Sequence, residues 1–305
     1  MSLIQWLILI SLLAINTTSA ALETKQIRSV VDDSGYKVTL TAPAQRVITL
    51  SPHATEWVYR IGAGERLIAT IAFSDYPPQA QSIPRIGNAS RIDIERVVML
   101  KPDLLIAWQS GNGKALINQL RTLGINVYVS QPRALNDIPI AYERLGTLLN
   151  VEQQAHEAAS IFRSRLEQLR SSARLTPAVS VFYQIWDKPL MTLNGAHIIN
   201  EAITLCGGAN IFENLPALAP SIALEAVLAE NPQMIILANE VNLVKDWDKQ
   251  WRVWTSMRAV AANHVFTINP DIIQRPTFRI LEGTEHLCRL VDQVRVGVRQ
   301  TAAGQ

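Results

Sequence analysis

The sequence predicts an α/β protein built as two similar lobes with parallel sheets, joined by one long α-helix. Short β-rich runs alternate with helix-forming segments in both halves of the chain, which is typical of parallel sheets covered by helices. Between the halves, residues 151–173 contain no Pro or Gly and carry apolar residues at helical spacing. Strings of residues from the first half also recur in the same order in the second half.

Length, composition and charge limit the classes of protein to consider. The chain has 305 residues, of which 48% are hydrophobic and 18% are charged. This is a globular composition with enough length for two domains of ordinary size. The formal net charge is only +2, and no block of Lys and Arg marks a nucleic-acid face. We therefore expect no nucleic-acid partner.

Residues 1–20 differ in kind from the rest of the chain. An apolar run is followed by small residues at 17–20, which is typical of a cleaved signal peptide, whereas a spanning helix needs about 20 apolar residues. No Lys or Arg stands near Met1, so an uncleaved membrane anchor remains the alternative. We expect a soluble mature protein that is exported to an oxidising compartment. In that oxidising compartment, the two cysteines, Cys206 and Cys288, are most simply a disulfide.

The first elements after the signal peptide are an N-terminal extension at 21–45 and an N-terminal lobe at 46–150. In the extension, β-rich runs at 27–31 and 36–41 flank a Gly-containing turn and predict a hairpin. The lobe has predicted strands at 47–50, 67–72, 104–107 and 127–129, and predicted helices at 52–61, 97–100 and 115–123. Alternation of this kind places the strands in one parallel sheet.

The segment 46–60 puts a histidine where a parallel sheet offers a ligand site. Ser51 is a good N-cap and Pro52 suits the first helical position, so a helix begins directly after the strand. His53 then lies just past the carboxyl end of a strand, where ligands bind in open α/β sheets. Three roles are open for His53: a metal ligand, an uncoordinated cleft residue, or a structural histidine at a helix start.

The interlobe helix is predicted over 151–174 and the C-terminal lobe over 175–305. At 1.5 Å per residue the helix would reach about 35 Å, enough to span two lobes. The second lobe has predicted strands at 179–185, 191–193, 234–237 and 265–268, and predicted helices at 198–205 and 226–228. Trp247, Trp251 and Trp254 recur at helical spacing and indicate one apolar helix face rather than a binding box.

An internal repeat relates the two lobes. ERV at 95–97 and KPDLLI at 101–106 parallel EAV at 225–227 and NPQMII at 231–236, and TLS at 49–51 parallels TLN at 192–194. Glu95 and Glu225 therefore form a pseudo-symmetric pair, which a two-fold partner could receive in two cationic pockets. The alternative is that each glutamate only complements its helix dipole, an effect of about 0.3–1 kcal/mol.

Several motifs together resemble one protein family. They are RVITLSP at 46–52, Thr55-Glu56, SDYPPQA at 74–80, LKPDLLIAW at 100–108 and LCGGANIF at 205–212. The chain resembles the periplasmic vitamin B12-binding proteins of ABC importers, which are solute-binding proteins with a helical backbone. The resemblance runs from about residue 46 to residue 289. It implies two Rossmann-like lobes, cobalamin or a related corrinoid carried as cargo rather than as a resident cofactor, and delivery to a dimeric permease with its ATPases. It also assigns Glu95 and Glu225 to docking on that permease.

The resemblance also implies a set of ligand-binding residues. In the family, aromatic residues surround the corrin ring: Phe73 stands where a tyrosine is expected, Trp108 matches a tryptophan and Met191 falls near a phenylalanine. Two further tryptophan positions hold Ala89 and Ala219 here, so Trp186, with Tyr183 beside it, is a candidate for the missing surface. The residues expected to bind the ligand are His53, Phe73, Tyr76, Trp108, Trp186, Met191 and Arg275. The alternative for the aromatic residues is that they fill the protein core. Arg275 is expected to bind a phosphate or amides of the ligand, and the alternative is that it is only a surface charge.

Other ligands and an enzymatic function remain competing hypotheses. Haem would need a His or Tyr axial ligand, for which His53 with Tyr76 or Tyr183 could serve, and an anionic ferric siderophore would favour several cleft arginines. The chain has no Gly-x-Ser-x-Gly, Walker or His-Glu-x-x-His motif, so we do not expect an enzyme. A secreted hydrolase would regain support if His53 contacted a Ser or Asp in a closed, dry pocket.

Overall fold

The computed structural model describes residues 27–172, 177–239 and 247–303. The signal peptide predicted at 1–20, and the last two residues of the interlobe helix predicted at 151–174, lie outside the described residues. The structure contains two separate four-stranded parallel sheets flanked by helices, which confirms the predicted fold class. Within the described ranges, no helix is long and apolar enough to cross a membrane.

An antiparallel hairpin precedes the first lobe, made of β1 (Arg28–Val31) and β2 (Lys37–Leu40). Asp32, which is buried, closes its turn: one carboxylate oxygen accepts a hydrogen bond from the Tyr36 backbone N–H at 2.9 Å. The other oxygen accepts from the Val129 backbone N–H at 3.0 Å. The hairpin is therefore fastened to the first lobe by a buried carboxylate.

The first lobe is built on one parallel sheet. The strands of this lobe are β3 (Val47–Thr49), β4 (Leu67–Ala69), β5 (Gly87–Asn88), β6 (Arg91–Ile92), β7 (Leu104–Trp108) and β8 (Val127–Ser130). Its helices are α1 (Pro52–Arg60), α2 (Ile94–Leu100), α3 (Gln109–Thr122) and α4 (Asp137–Leu149), with 3₁₀ turns at Gly64–Arg66 and Pro78–Ser82. The sheet order is β4-β3-β7-β8, and β5 pairs with β6 as a small hairpin. Every residue of β3 and β8 is buried, as expected when helices cover both faces of a parallel sheet.

One long helix, α5 (Glu152–Ser172), follows the first lobe and leads to the second. Its 21 residues reach about 30 Å. Ala155, Ala159 and Phe162 are fully buried, and the helix packs against α4. The Phe162 ring meets Phe278 of the second lobe edge-on, with centroids 6.0 Å apart. This helix therefore packs on both lobes.

The second lobe repeats the topology of the first. Its strands are β9 (Val179–Gln184), β10 (Gly208–Asn210), β11 (Met234–Ala238) and β12 (Val265–Ile268), in the sheet order β10-β9-β11-β12. Its helices are α6 (Ile198–Leu205), α7 (Leu224–Glu230), α8 (Trp247–Arg252), α9 (Arg258–Ala261), α10 (Pro270–Ile273) and α11 (Ile280–Ala303). In the four-stranded sheet of each lobe, the strand that comes second along the chain lies at one edge. The first, third and fourth strands of that sheet follow in this order across it.

The repeat is visible residue by residue in α2 and α7. Both helices have seven residues, carry glutamate at their second position and end at a left-handed residue, Lys101 (φ 46°) and Asn231 (φ 43°). The parallel drawn between 49–51 and 192–194 is wrong, because strand pairing sets Thr49 beside Ile106 and Tyr183 beside Ile236. The strand predicted at 191–193 is likewise reduced to an isolated bridge at Met191, since a loop follows β9 there.

The second lobe is held by a disulfide and an aromatic cluster. Cys206 at the end of α6 is bonded to Cys288 in α11, which confirms the predicted pair. Trp247 and Trp251 are buried as expected for an apolar helix face. Trp254 is 37% exposed, because α8 ends at Arg252.

Candidate ligand-binding cleft

The carboxyl ends of both sheets open onto one cleft of about 410 Å³ between the lobes. Trp108 ends β7, Gln131 follows β8, and Trp186 follows β9. All three line the cleft, as do residues from the start of α6 and from the segment after α10. This is the position at which open α/β sheets bind ligands.

Trp108 forms an apolar wall on the first lobe. Its backbone N–H donates to the Asn112 side-chain carbonyl at 2.7 Å, and the Asn112 amide donates to the carbonyls of Leu50 and Ala89. Gly111 lies directly against the indole: an added Cβ would stand 2.1 Å from a ring carbon, so only glycine fits. The Trp108 ring is therefore fixed by its own following helix turn.

Trp186 and Met191 form the facing wall on the second lobe. The Met191 backbone N–H donates to the Trp186 carbonyl at 3.1 Å, so one tight loop carries both side chains. The Trp186 indole N–H donates to the Lys188 carbonyl at 3.1 Å, and half of the Trp186 residue surface is exposed. Ala219 also lines the cleft and leaves room where the family resemblance places a tryptophan. The cleft is thus lined by one tryptophan from each lobe.

Hydrogen-bond donors complete the lining. Gln131 accepts from the backbone N–H of Ser110 at 2.9 Å and from its hydroxyl at 2.7 Å, both at the Oε1 atom. A backbone N–H can only donate, so the atom that accepts from Ser110 must be the oxygen of Gln131. The amide nitrogen of Gln131 is then the end that can donate to a ligand. Arg133, His197 and Gln274 also line the cleft, and none of the described residues that line it is Asp or Glu. The arrangement suits a flat apolar ligand that carries acceptor oxygens at its edge.

His53 does not line the cleft, contrary to expectation. It is 97% buried beneath Trp108, with ring centroids 5.6 Å apart, and also meets Trp57 at 4.8 Å. Its Nε2 lies 2.9 Å from the Ser130 hydroxyl and 3.3 Å from that of Ser51. Burial, with a smaller contribution from the charge of Arg275, lowers the pKa of His53 from 6.5 to about 3. This geometry corresponds to the structural role among the three that the sequence left open.

Arg275 and Tyr76 also lie outside the cleft lining, in an interlobe ion cluster formed by Glu56, Asp75, Asp271, Arg275 and Arg279. Arg275 contacts Asp75 at 2.9 Å and Asp271 at 2.7 Å, so neighbouring carboxylates already occupy its guanidinium. Arg279 donates two hydrogen bonds to the buried Glu56 carboxylate, at 2.5 and 3.0 Å, and stacks over the Tyr76 ring at 4.1 Å. Both residues expected to bind ligand instead join the lobes.

Phe73 and Tyr183 also lie outside the enclosed part of the cleft. Phe73 follows β4 at the carboxyl edge of the first sheet and is 74% exposed, outside the enclosed part of the cleft. Its φ of 65° is left-handed, an uncommon conformation for a bulky residue. Tyr183 is fully buried in the second sheet and supplies no cleft surface. The enclosed cleft therefore contains three of the expected ligand-binding residues: Trp108, Trp186 and Met191.

Glu95 and Glu225 are both exposed, each at the second position of its helix. Over the described ranges, neither has an ion pair.

Sequence reasoning missed Gln131, His197 and Gln274 as cleft residues. Gln131 directly follows a strand and His197 directly precedes a helix, so the rule that selected His53 could have found both. Among the residues that the structure describes, no group of three or more His, Cys, Asp or Glu could hold a metal ion.

Two parallel-sheet lobes that face each other across a cleft, with a helix connecting them, define a bilobed solute-binding protein. Residues 47–272 match the family model described as periplasmic binding protein, and the chain belongs to this family. It is 38% identical over 247 residues to the vitamin B12-binding protein of Vibrio cholerae serotype O1, covering 81% of this chain and 88% of that protein. It is 35% identical over 256 residues to the vitamin B12-binding protein of Photorhabdus laumondii subsp. laumondii, covering 84% and 91%.

Solved structures agree with this assignment. The crystal structure of the periplasmic vitamin B12 binding protein BtuF of Vibrio cholerae matches with a TM-score of 0.77 at 36% identity, over 83% of this chain and 98% of that one. The periplasmic heme-binding protein RhuT from Roseiflexus sp. RS-1 matches with a TM-score of 0.73 at 17% identity, over 82% and 99%. At that identity the second match shows the shared fold alone.

Proposed function

We propose that this protein captures cobalamin or a related corrinoid between its lobes in the periplasm and delivers it to an ABC importer. The observation that carries the proposal is a cleft lined by Trp108 from one lobe and Trp186 from the other, with hydrogen-bond donors beside them and no carboxylate among its described lining residues. A corrin ring is large and flat, and its edge carries amide groups whose oxygens accept hydrogen bonds. The names of the relatives at 35–38% identity point to the same ligand. Cobalamin is then the cargo, and no resident cofactor is needed.

Haem is the second candidate, because a haem-binding protein shares the fold. It requires an axial ligand with an available lone pair, usually His or Tyr. His53 and Tyr183 are buried, and Tyr76 lies against Arg279. A siderophore has less support, since Arg275 and Arg279 are paired with carboxylates and Arg133 is the one arginine among the described residues of the cleft lining. The geometry therefore favours a corrinoid, which brings its own cobalt ligands.

Binding without catalysis is part of the proposal. His53 does contact Ser130 and Ser51, the arrangement that would have favoured a hydrolase. Both serines are fully buried, so a substrate carbonyl has no access to either hydroxyl. A histidine with a pKa of about 3 is also a poor general base near neutral pH. We assign this cluster to packing beneath Trp108.

Titration calorimetry of the mature protein with cyanocobalamin, cobinamide and haemin tests the proposal. We expect saturable binding of cyanocobalamin at one ligand per chain, with corrin absorbance bands on the isolated complex. Trp186→Ala should weaken this binding by about 1–3 kcal/mol, because an exposed indole wall is lost. Trp254→Ala, which removes an indole outside the cleft, serves as the control. Binding of haemin without any heat from either corrinoid would refute the assignment.

A further inference from the structure

His197 is a cleft residue that the proposed function has not used. It is the N-cap of α6, and its Nδ1 accepts a hydrogen bond from the Ile199 backbone N–H at 3.2 Å. The side chain lines the cleft together with Ala196 and Ile198 from the same turn. One ring thus belongs to a helix cap and to the ligand cleft at once.

The cap fixes the position of the ring proton. A backbone N–H can only donate, so Nδ1 must keep its lone pair and the neutral ring carries its hydrogen on Nε2. Burial, and to a lesser extent the charge of Arg133, lowers the pKa of His197 from 6.5 to about 4, so the ring is neutral near neutral pH. Between residues 27 and 303, no group in the described segments accepts a hydrogen bond from Nε2. Within those segments, the ring therefore has one N–H without an acceptor.

The same geometry opposes metal coordination. A histidine that binds metal through Nε2 offers that lone pair and donates its Nδ1–H to a carbonyl or carboxylate. In His197 the Nδ1 atom faces a donor instead. If Nε2 coordinated a metal, a neutral ring would carry its hydrogen on Nδ1, which could then no longer accept from Ile199, and the helix cap would break. Keeping the cap would require an imidazolate anion. The neighbouring cleft groups fit a donor role, since Gln131 presents its amide nitrogen and Arg133 its guanidinium.

We infer that His197 recognises the ligand through its Nε2–H, as a hydrogen-bond donor to an amide or carboxylate oxygen on the ligand edge, and not as a cobalt ligand. This inference rests on the proposed function and adds to it a residue that selects ligands by their acceptor groups. It also distinguishes the two histidines that begin helices at the carboxyl ends of the sheets. His53 is buried under the cleft wall, and His197 faces the cleft.

Substitution can separate the cap from the donor. His197→Ser keeps a side-chain oxygen that caps α6 and removes the distant N–H, whereas His197→Ala removes both. We expect His197→Ser to retain the melting temperature of the unsubstituted protein and to bind cyanocobalamin about five- to tenfold more weakly, the effect of one lost neutral hydrogen bond. His197→Ala should show a similar loss of affinity and a lower melting temperature.

Aquocobalamin separates donation from coordination. Its visible spectrum depends on the axial ligands of cobalt, so we expect the same bound spectrum with the unsubstituted protein and with His197→Ser. A band shift seen only with the unsubstituted protein would show ligation and overturn the inference, as would unchanged cyanocobalamin affinity in His197→Ser. Failure of the unsubstituted protein to bind either cobalamin would instead refute the proposed function, and this inference with it.

Discussion

Removing Arg279 tests whether the interlobe ion cluster stabilises the folded protein. The Glu56 side chain is 5% exposed, and Arg279 from the second lobe holds it with two hydrogen bonds of 2.5 and 3.0 Å. Breaking such a buried pair by removing one partner costs about 3–5 kcal/mol, because the remaining charge is left uncompensated. Arg275 still lies 3.5 Å from Glu56 and offsets part of this cost. For Arg279→Met we therefore expect a loss of about 3 kcal/mol in the free energy of unfolding.

Urea unfolding monitored by tryptophan fluorescence measures this loss. The matched control is Arg165→Met, which breaks an ion pair with Glu285 whose two side chains are 38% and 46% exposed. An exposed pair of this kind contributes about 0–1 kcal/mol. The double variant Glu56→Gln with Arg279→Met should recover much of the loss, since the unpaired buried carboxylate is then also removed. Equal stability of Arg279→Met and Arg165→Met would refute the assignment of a buried, stabilising ion pair.

The remaining predictions concern the disulfide, the pair Glu95 and Glu225, and acid stability. Replacing Cys206 and Cys288 together with Ser should lower the free energy of unfolding by about 4 kcal/mol, because the bond closes a loop of 82 residues. Replacing Glu95 and Glu225 with Ala should leave cobalamin affinity unchanged and weaken the complex with the permease in reconstituted vesicles. His53 binds protons less readily when folded, so stability should fall as the pH drops from 6.5 towards 3, by on the order of 4 kcal/mol at the acid end.

A reductant and two further variants are the controls for these three predictions. Dithiothreitol should destabilise the unsubstituted protein and leave the cysteine-free variant unaffected. Glu230→Ala removes an exposed glutamate at the other end of α7, and transport at the same rate by it and by the Glu95/Glu225 variant would remove the docking role. His53→Gln should flatten the acid dependence of the urea midpoint, and an unchanged slope would assign that dependence to other groups.

The local patterns of the sequence determined the elements and their repetition. Hydrophobic periodicity and capping residues act over a few positions, so the strand at 265–268 and the helix at 198–205 agree with β12 and α6. Glu95 and Glu225 could be paired before any coordinates were known, because each lies at the same place in a repeated string. Export and an even cysteine count led to the disulfide in the same way.

Only the tertiary structure decided how individual side chains are oriented and which groups they contact. His53 and His197 both begin helices beside a sheet edge, yet the first is covered by Trp108 and the second lines the cleft. Arg275 was expected at the ligand, but it contacts carboxylates instead, including Asp75, which lies 200 positions away in sequence. The sequence determines helix starts and strand ends because those depend on neighbours along the chain. Burial and pairing depend on which distant segments pack together, so they are fixed only in the tertiary structure.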